Sequence, residues 1–500
     1  MANAQSLLKD SVIYGGTTIL VKMISWLMTP LFTAALLAGD FGIMTSLYAY
    51  AAVFMVLLTF GMETGLFRFI TRETQKNKIQ TVYSTCIFIV AGIVIAFLFV
   101  FLNFLPEIRQ FLWTDETIPD KYIYLIILIM SMDVFMSIPF AYLRYQQRPI
   151  RFGVIKLLQV VLYALFCVFF LLVCPWIEER EPQLISWFWN GEDRLYYVFI
   201  ANLLSTGIQL IGLSPQLFGF NYRFDWRLAK RMLWYSFPLV ILGLAGMANQ
   251  VVDKIVFPIV YPDSESAYEE LGIYSACFKI ALIMMMFTQA FRYAYDPFIF
   301  EKNKEKDSKE TYALVMKYFV IFGLFVFLGV TLYLDIIKYL FLRNEMYYRG
   351  LGTVSVVLMG ELFFAVYYNL SIWYKLTDKT YWGSIFSIIA FVIIFAINIL
   401  FIPKYSFWAC AWASLIGNFV VMLISYFVGQ KYFPVKYDLK ILGFYFGLAL
   451  ILFAVSYYIP IENQWLHIGF NTVLVFIYLF VVIKKDIPLK EIPFVNRFFK

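Results

Sequence analysis

The chain has 500 residues, 62% of them hydrophobic and 20% aromatic, against 15% charged, with a net charge of +7. A soluble globular domain is nearer half apolar and a quarter charged. This is therefore the composition of an integral membrane protein, with no polar stretch left for a separate soluble domain. A single histidine, His467, and five scattered cysteines without metal-ligand spacing argue against a metallo-enzyme, a histidine-based hydrolase and a disulfide framework.

Apolar runs of about 20 residues are long enough to cross a bilayer. Fourteen such runs are expected, at about 11–38, 42–68, 82–104, 121–143, 152–174, 195–217, 231–259, 271–298, 313–334, 352–373, 383–402, 406–430, 439–459 and 466–483. Lys9 and Asp10 lead into the first. It is too long for the apolar core of a signal peptide and lacks a cleavage site, so it is expected to be a true span.

A charge deep in hydrocarbon costs a few kcal/mol or more, so it is expected to face a cavity or a partner. Lys22 lies roughly 16 Å into helix 1 and Asp133 roughly 18 Å into helix 4. Lys279 lies roughly 12 Å into helix 8 and Glu361 roughly 14 Å into helix 10, so all four are near the midplane. Two readings stand side by side: these residues line a substrate path, or they form structural ion pairs such as Lys22 with Asp133 and Lys279 with Glu361. Lys22 and Lys279 together would give a cavity the positive potential that an anionic phosphate substrate requires.

Glu63 and Arg292 fall at the cytoplasmic ends of helices 2 and 8, where capping or snorkelling is expected. Helix 7 carries Asn249 and Gln250, candidates for sugar contact, with Asp253 and Lys254 near its outer end. Lys254 and Arg292 join Lys22 and Lys279 as candidate cationic contacts. Asp133, Glu361 and Asp253 join the two amides as candidates for a polar cavity or ion coupling. Other buried amides, such as Gln159, Asn202, Gln209, Asn398 and Asn418, are expected as interhelical hydrogen bonders. Pro30, Pro139, Pro238 and Pro258 lie in or near spans; a proline frees a backbone carbonyl and can kink a helix, which in helices 1 and 7 suits a pair of gates and suits simple packing equally.

Lys and Arg set the orientation. Arg68, Arg72, Lys76, Lys78, then Arg144, Arg148, Arg151, then Arg223, Arg227, Lys230 and Arg231 fall on one side, with the later basic loops and the tail from Lys484. Roughly 28 basic residues lie there against roughly 8 on the other side. The opposite loops carry acidic residues such as Glu178, Glu179, Glu181, Asp263, Glu265 and Glu269. Both termini are expected to be cytoplasmic. The positive charge is then a matter of orientation, and no nucleic-acid partner is expected.

The pattern also occurs twice. Phe41-Gly42-Ile43-Met44-Thr45-Ser46 opens one apolar helix just after a Pro30-containing one. Leu271-Gly272-Ile273-Tyr274-Ser275-Ala276 opens another just after a Pro258-containing one, and the same offset carries Gly153 onto Gly383. Six helices separate the two copies, so the repeat is expected to be parallel. The expected fold is all-α and polytopic: a six-helix bundle over 1–220, a second over 221–436, and two further helices with a cytoplasmic tail over 437–500.

Several stretches resemble the polysaccharide flippase (Wzx-like) branch of the multidrug/oligosaccharidyl-lipid/polysaccharide exporter superfamily. They include Gly39-Asp40-Phe41-Gly42-Ile43, Gly61-Met62-Glu63-Thr64-Gly65-Leu66-Phe67-Arg68-Phe69, and Asp253-Lys254-Ile255 followed by Leu271-Gly272-Ile273-Tyr274-Ser275. Further pieces are the run from Ala290 to Phe298, Asp378-Lys379-Thr380, Asn398, Ile402-Pro403-Lys404-Tyr405, and Lys431-Tyr432-Phe433-Pro434. One departure is the bulky run Ser406-Phe407-Trp408-Ala409-Cys410-Ala411-Trp412, where many relatives have small residues.

The resemblance implies a MATE-like fold and a transporter, not an enzyme. It implies movement of an undecaprenyl-pyrophosphate-linked oligosaccharide from the cytoplasmic to the periplasmic leaflet, for O-antigen, capsule or exopolysaccharide synthesis. Membrane lipids, glycosyltransferases and a polysaccharide polymerase are the partners it implies. No cofactor is expected; proton or Na+ coupling would require a titrating carboxylate, for which Asp133 and Glu361 are the candidates. The alternatives are a cation-coupled multidrug antiporter of the same superfamily, which would favour Asp133, Glu361 and Glu63, and a membrane-embedded polymerase or ligase.

Overall fold

The computed structural model describes residues 4–112, 118–218, 221–302, 308–459 and 461–486, with side chains from residue 13 on except 294 and 296–302. All regular secondary structure among the described residues is helical. Among the described residues, fourteen helices are long and apolar enough to cross a membrane. They are α1 (Ile13–Ala35), α2 (Ala38–Ile70), α3 (Lys76–Asn103), α4 (Asp120–Tyr145), α5 (Pro149–Glu178), α6 (Arg194–Gly212) and α7 (Trp226–Val260). The rest are α8 (Ser264–Tyr293), α9 (Ser308–Leu332), α10 (Gly352–Leu376), α11 (Tyr381–Tyr405), α12 (Phe407–Tyr432), α13 (Leu439–Tyr458) and α14 (Gln464–Asp486).

Each expected span is present. Several helices start earlier than the apolar run because their polar first turns, such as Lys76-Asn77-Lys78 and Ser264-Glu265, are already helical. Helical hydrogen bonding does not stop where the hydrocarbon does. Asp193, Asp225 and Asp438 cap α6, α7 and α13 by accepting from the backbone N–H of Tyr196, of Arg227 and Leu228, and of Ile441.

Three backbone irregularities shape the first helices. Pro30 sits just past a break in α1, after Leu27. Phe60 and Gly61 take positive φ (49° and 63°) and divide α2 into Ala38–Thr59 and Met62–Ile70. Gly61 adopts that conformation without penalty, whereas Phe60 carries a Cβ and is strained by it. Gln147 (φ 52°) turns the chain tightly from α4 into α5. Pro139, Pro238 and Pro258, by contrast, lie inside continuous helices.

By packing, the described chain forms two compact units. The first runs to Ala276 and adds Arg343–Tyr347 and Ser384–Ala413. In it α5 packs on α1 and α6, α4 on α3 and α6, and α7 along both segments of α2. The second holds Cys277–Leu342, Tyr348–Gly383 and the described residues from Ser414 on. There α9 is the central helix, contacted by α10, α13 and α14. Tyr478 of α14 donates to the Ile321 carbonyl at 2.9 Å, and Asn471 donates to the Leu332 carbonyl at 2.7 Å and accepts from Ser456. At the other end of α9, Lys317 pairs with Asp486 at 3.0 Å, which also accepts from Tyr445. The two last helices are therefore tied to α9 at both ends and in the middle.

Candidate functional site

The first unit contains a polar seam through its helices. Tyr48 of α2 accepts from the Asn202 side-chain amide of α6 at 2.7 Å, Thr206 donates to the Asn202 Oδ1, and Gln159 of α5 donates to Ser205. Asp133 of α4 lies beside this seam. Its strongest charge partner is Lys156 of α5, whose ammonium also sits 4.2 Å from the centre of the Phe140 ring. Glu63, in the second segment of α2, pairs with Arg144 of α4 at 2.5 Å, and both act electrostatically on Lys156. The four charges thus alternate within one helix cluster, which lowers the cost of burying each.

Lys156 is a residue that sequence reasoning passed over. It lies so close to the start of the apolar run that it reads as a boundary lysine. The earlier helical start at Pro149 places it a further turn inside. Glu63 was legible as an end-of-helix charge and Arg144 as one of the basic loop residues that set orientation; the fold shows that they meet.

Helix α7 carries a second cluster. Asp253 is buried (8% exposed) and accepts from the Tyr274 hydroxyl of α8 at 3.0 Å. Lys254 reaches both carboxylate oxygens of Asp253, at 3.0 and 3.1 Å, and the Gln250 carbonyl at 3.3 Å. Its charge is therefore matched by its own neighbour. Asn249 donates to the Ser387 carbonyl at 2.9 Å, while its buried side-chain oxygen accepts nothing among the described residues. Gln250 is exposed, as is Lys22 on α1.

The two copies of the opening motif meet face to face. A Cβ on Gly42 would fall onto the Tyr268 carbonyl, 2.7 Å from its carbon and 3.1 Å from the Gly272 nitrogen. A Cβ on Gly272 would fall onto the Ala38 carbonyl, 2.7 Å from its carbon and 3.0 Å from the Gly42 nitrogen. The contact is reciprocal, and the missing side chains let main chain touch main chain. Ala38, Ser46 and Ala276, one turn away on either helix, are fully or nearly fully buried. Tyr347 covers this end: its ring lies 6.1 Å from Phe41, and its hydroxyl donates to the Leu36 carbonyl at 3.2 Å.

In the second unit Lys279 on α8 and Glu361 on α10 are both half-buried. Arg292, further along α8, stacks on the Tyr368 ring at 3.6 Å from its centre, and Lys375 lies 4.2 Å over the same ring and donates to its hydroxyl at 3.0 Å. Arg292 and Lys375 thus converge on one tyrosine near the ends of α8 and α10. A stacked guanidinium keeps its in-plane donors available.

Comparison with known proteins adds the family. The model of the family described as polysaccharide biosynthesis protein matches residues 7–301. Among solved structures, the lipid II flippase MurJ in an inward closed conformation is similar over 95% of this chain and 99% of its own, with TM-score 0.72 and 14% identity. An inward-facing multidrug resistance MATE family transporter of the MOP superfamily is similar over 84% of this chain and 94% of its own, with TM-score 0.62 and 13% identity. No curated protein matches the sequence. The resemblance read from short motifs is borne out by both the family match and the fold: the chain belongs to the polysaccharide biosynthesis protein family and has the MurJ/MATE fold.

Proposed function

We propose that the protein is a flippase that moves an undecaprenyl-pyrophosphate-linked oligosaccharide from the cytoplasmic to the outer leaflet of the bacterial inner membrane, by alternating access. One observation carries the reading. The likeness to a lipid II flippase takes in 95% of the chain, whereas the multidrug transporter match takes in 84%. The physical task suits such a chain: a diphosphate and a glycan must cross hydrocarbon while the lipid tail stays in it. Lys22, Lys279 and Arg292 are the proposed phosphate contacts. Lys254 is a weaker one, because Asp253 already neutralises it. Asn249, with an unused acceptor, is the better of the two amides for a sugar hydroxyl, ahead of Gln250.

The proposed organisation is six, six and two helices with both termini cytoplasmic. In that orientation the Gly42–Gly272 crossing lies at the outer side and forms the closed outer seal. The polar seam with Asp133, and Glu361 in the second unit, are the proposed places for proton or Na+ coupling. Glycosyltransferases would supply the cargo, and a polymerase would consume it. The protein carries its substrate without altering it.

The test is reconstitution of the purified chain in liposomes with a fluorescent lipid-linked oligosaccharide in both leaflets. Transfer between leaflets, measured by loss of quencher protection, is the expected result. Transport of a cationic dye with no movement of the lipid-linked sugar would overturn the reading in favour of a multidrug antiporter.

A further inference from the structure

A cavity of about 580 Å³ opens where α4 turns into α5, lined by Arg148, Ile150, Arg151, Val154, Ile155 and Gly212 among others. The turn that builds it is tight. Gln147 sits in the left-handed region, its N–H donates to the Arg144 carbonyl at 3.1 Å, and the Arg148 N–H donates to the Leu143 carbonyl at 3.1 Å. Pro149 then fixes the first turn of α5 and sets Arg148 and Arg151 at the cavity mouth. Among the described residues no carboxylate or carbonyl accepts from either guanidinium.

The walls are apolar and open to one side. Ile150 and Val154 are 68% and 57% exposed, and the same face of α5 continues with Leu158, Val161 and Leu165, all exposed. Lys156, the charged residue of this stretch, is on the opposite face against Phe140. The exposed stripe from Ile150 to Leu165 runs roughly 22 Å along the helix. That is more than the thickness of one leaflet's hydrocarbon, about 15 Å. A pair of guanidiniums at one end of an apolar track of this length has the chemistry of a phosphate-headed amphiphile: phosphate at the arginines, acyl chain along the stripe.

We propose that this cavity binds an anionic glycerophospholipid, its headgroup phosphate held by Arg148 and Arg151 and one acyl chain lying along Ile150, Val154 and Leu158. The site stands apart from the substrate contacts proposed above and does not depend on them. Bound lipid here would bridge the α4–α5 turn to the end of α6 at Gly212, which forms part of the same wall.

The experiment is native mass spectrometry and thermal unfolding of the full chain, delipidated in detergent, with phosphatidylglycerol or phosphatidylcholine added. Phosphatidylglycerol is expected to bind and to raise the unfolding temperature, with phosphatidylcholine binding far more weakly. Arg148→Gln/Arg151→Gln is expected to weaken phosphatidylglycerol binding roughly 30-fold, at about fivefold for each basic residue. Val154→Trp, which narrows the track and leaves both charges, is expected to weaken it as well. Arg223→Gln/Arg227→Gln, in another basic loop, is expected to leave it unchanged. Equal binding of the two lipids, or undiminished binding by the double arginine variant, would overturn the proposal. So would inorganic phosphate alone reproducing the stabilisation, which makes the site one for a free anion. Displacement of phosphatidylglycerol by polyprenyl diphosphate at equal concentration would reassign the cavity to the cargo and overturn it too.

Discussion

Adding a single methyl at the α2–α8 crossing should have a large and unusually coupled effect. In Gly42→Ala the new Cβ meets the Tyr268 carbonyl and the Gly272 nitrogen, and in Gly272→Ala it meets the Ala38 carbonyl and the Gly42 nitrogen. These are backbone atoms inside two long helices, so no side chain can swing away, and the helices themselves must separate. Overpacking of this kind costs about 2–3 kcal/mol per substitution. Once the helices have parted for one methyl, the second finds room, so the double variant should cost about 3 kcal/mol, well short of the sum. Gly39→Ala, where a Cβ would meet nothing within 4 Å, is the control and should be neutral or slightly stabilising. The measurement is a double-mutant cycle on the purified chain in mixed micelles, unfolded by SDS and followed by tryptophan fluorescence. Additive single effects, or singles as mild as Gly39→Ala, would refute the reciprocal main-chain contact.

Other expectations follow from the charge clusters and the tie to α9. Lys156→Met removes the cation that acts on Asp133 and should destabilise the first unit by about 1 kcal/mol, while Asp133→Asn/Lys156→Met should recover most of the folded yield, read by fluorescence-detected gel filtration. Asn471→Leu removes the bonds to Leu332 and Ser456 and should cost about 2 kcal/mol, seen as faster hydrogen exchange in α14 than in α4. Lys22→Ala/Lys279→Ala should lower lipid-linked oligosaccharide transfer at least about tenfold with membrane insertion unchanged, and wild-type transfer would remove both residues from the path. Asp133→Asn/Glu361→Gln should flatten any pH dependence of transfer; an unaltered pH profile would exclude carboxylate coupling at these positions.

The spans were legible because hydropathy over some twenty residues is a property of the chain alone. What lay beyond reach depends on which helices become neighbours. Glu63 reads as an end-of-helix charge and Arg144 as a basic loop residue, and only the packing of α2 on α4 makes them a pair. Asp133 invited Lys22 as its partner, since both sit at similar depth, yet the fold sets Lys156 of the next helix against it. Asp253 and Lys254 were read as separate contributors although they are chain neighbours, because adjacent helical residues ordinarily diverge; here the lysine folds back. Gly42 and Gly272 stood out as landmarks of a repeat, but repetition does not say which face of a helix is used. The positive φ of Phe60 had no signal at all beyond the glycine that follows it.

That break at Phe60 and Gly61 has a mechanical consequence. Helix α2 is two rods on one axle: the first holds Gly42 against α8, and the second holds Glu63 against Arg144. The axle rests on α7, where Ser236 donates to the Gly61 carbonyl at 3.4 Å and leaves no space for a larger residue at Gly65. A push at Gly42 is therefore not delivered to Glu63 as it would be by a stiff lever. The joint absorbs it, so a displacement at the Gly42–Gly272 crossing leaves the charged cluster at the far end in its register.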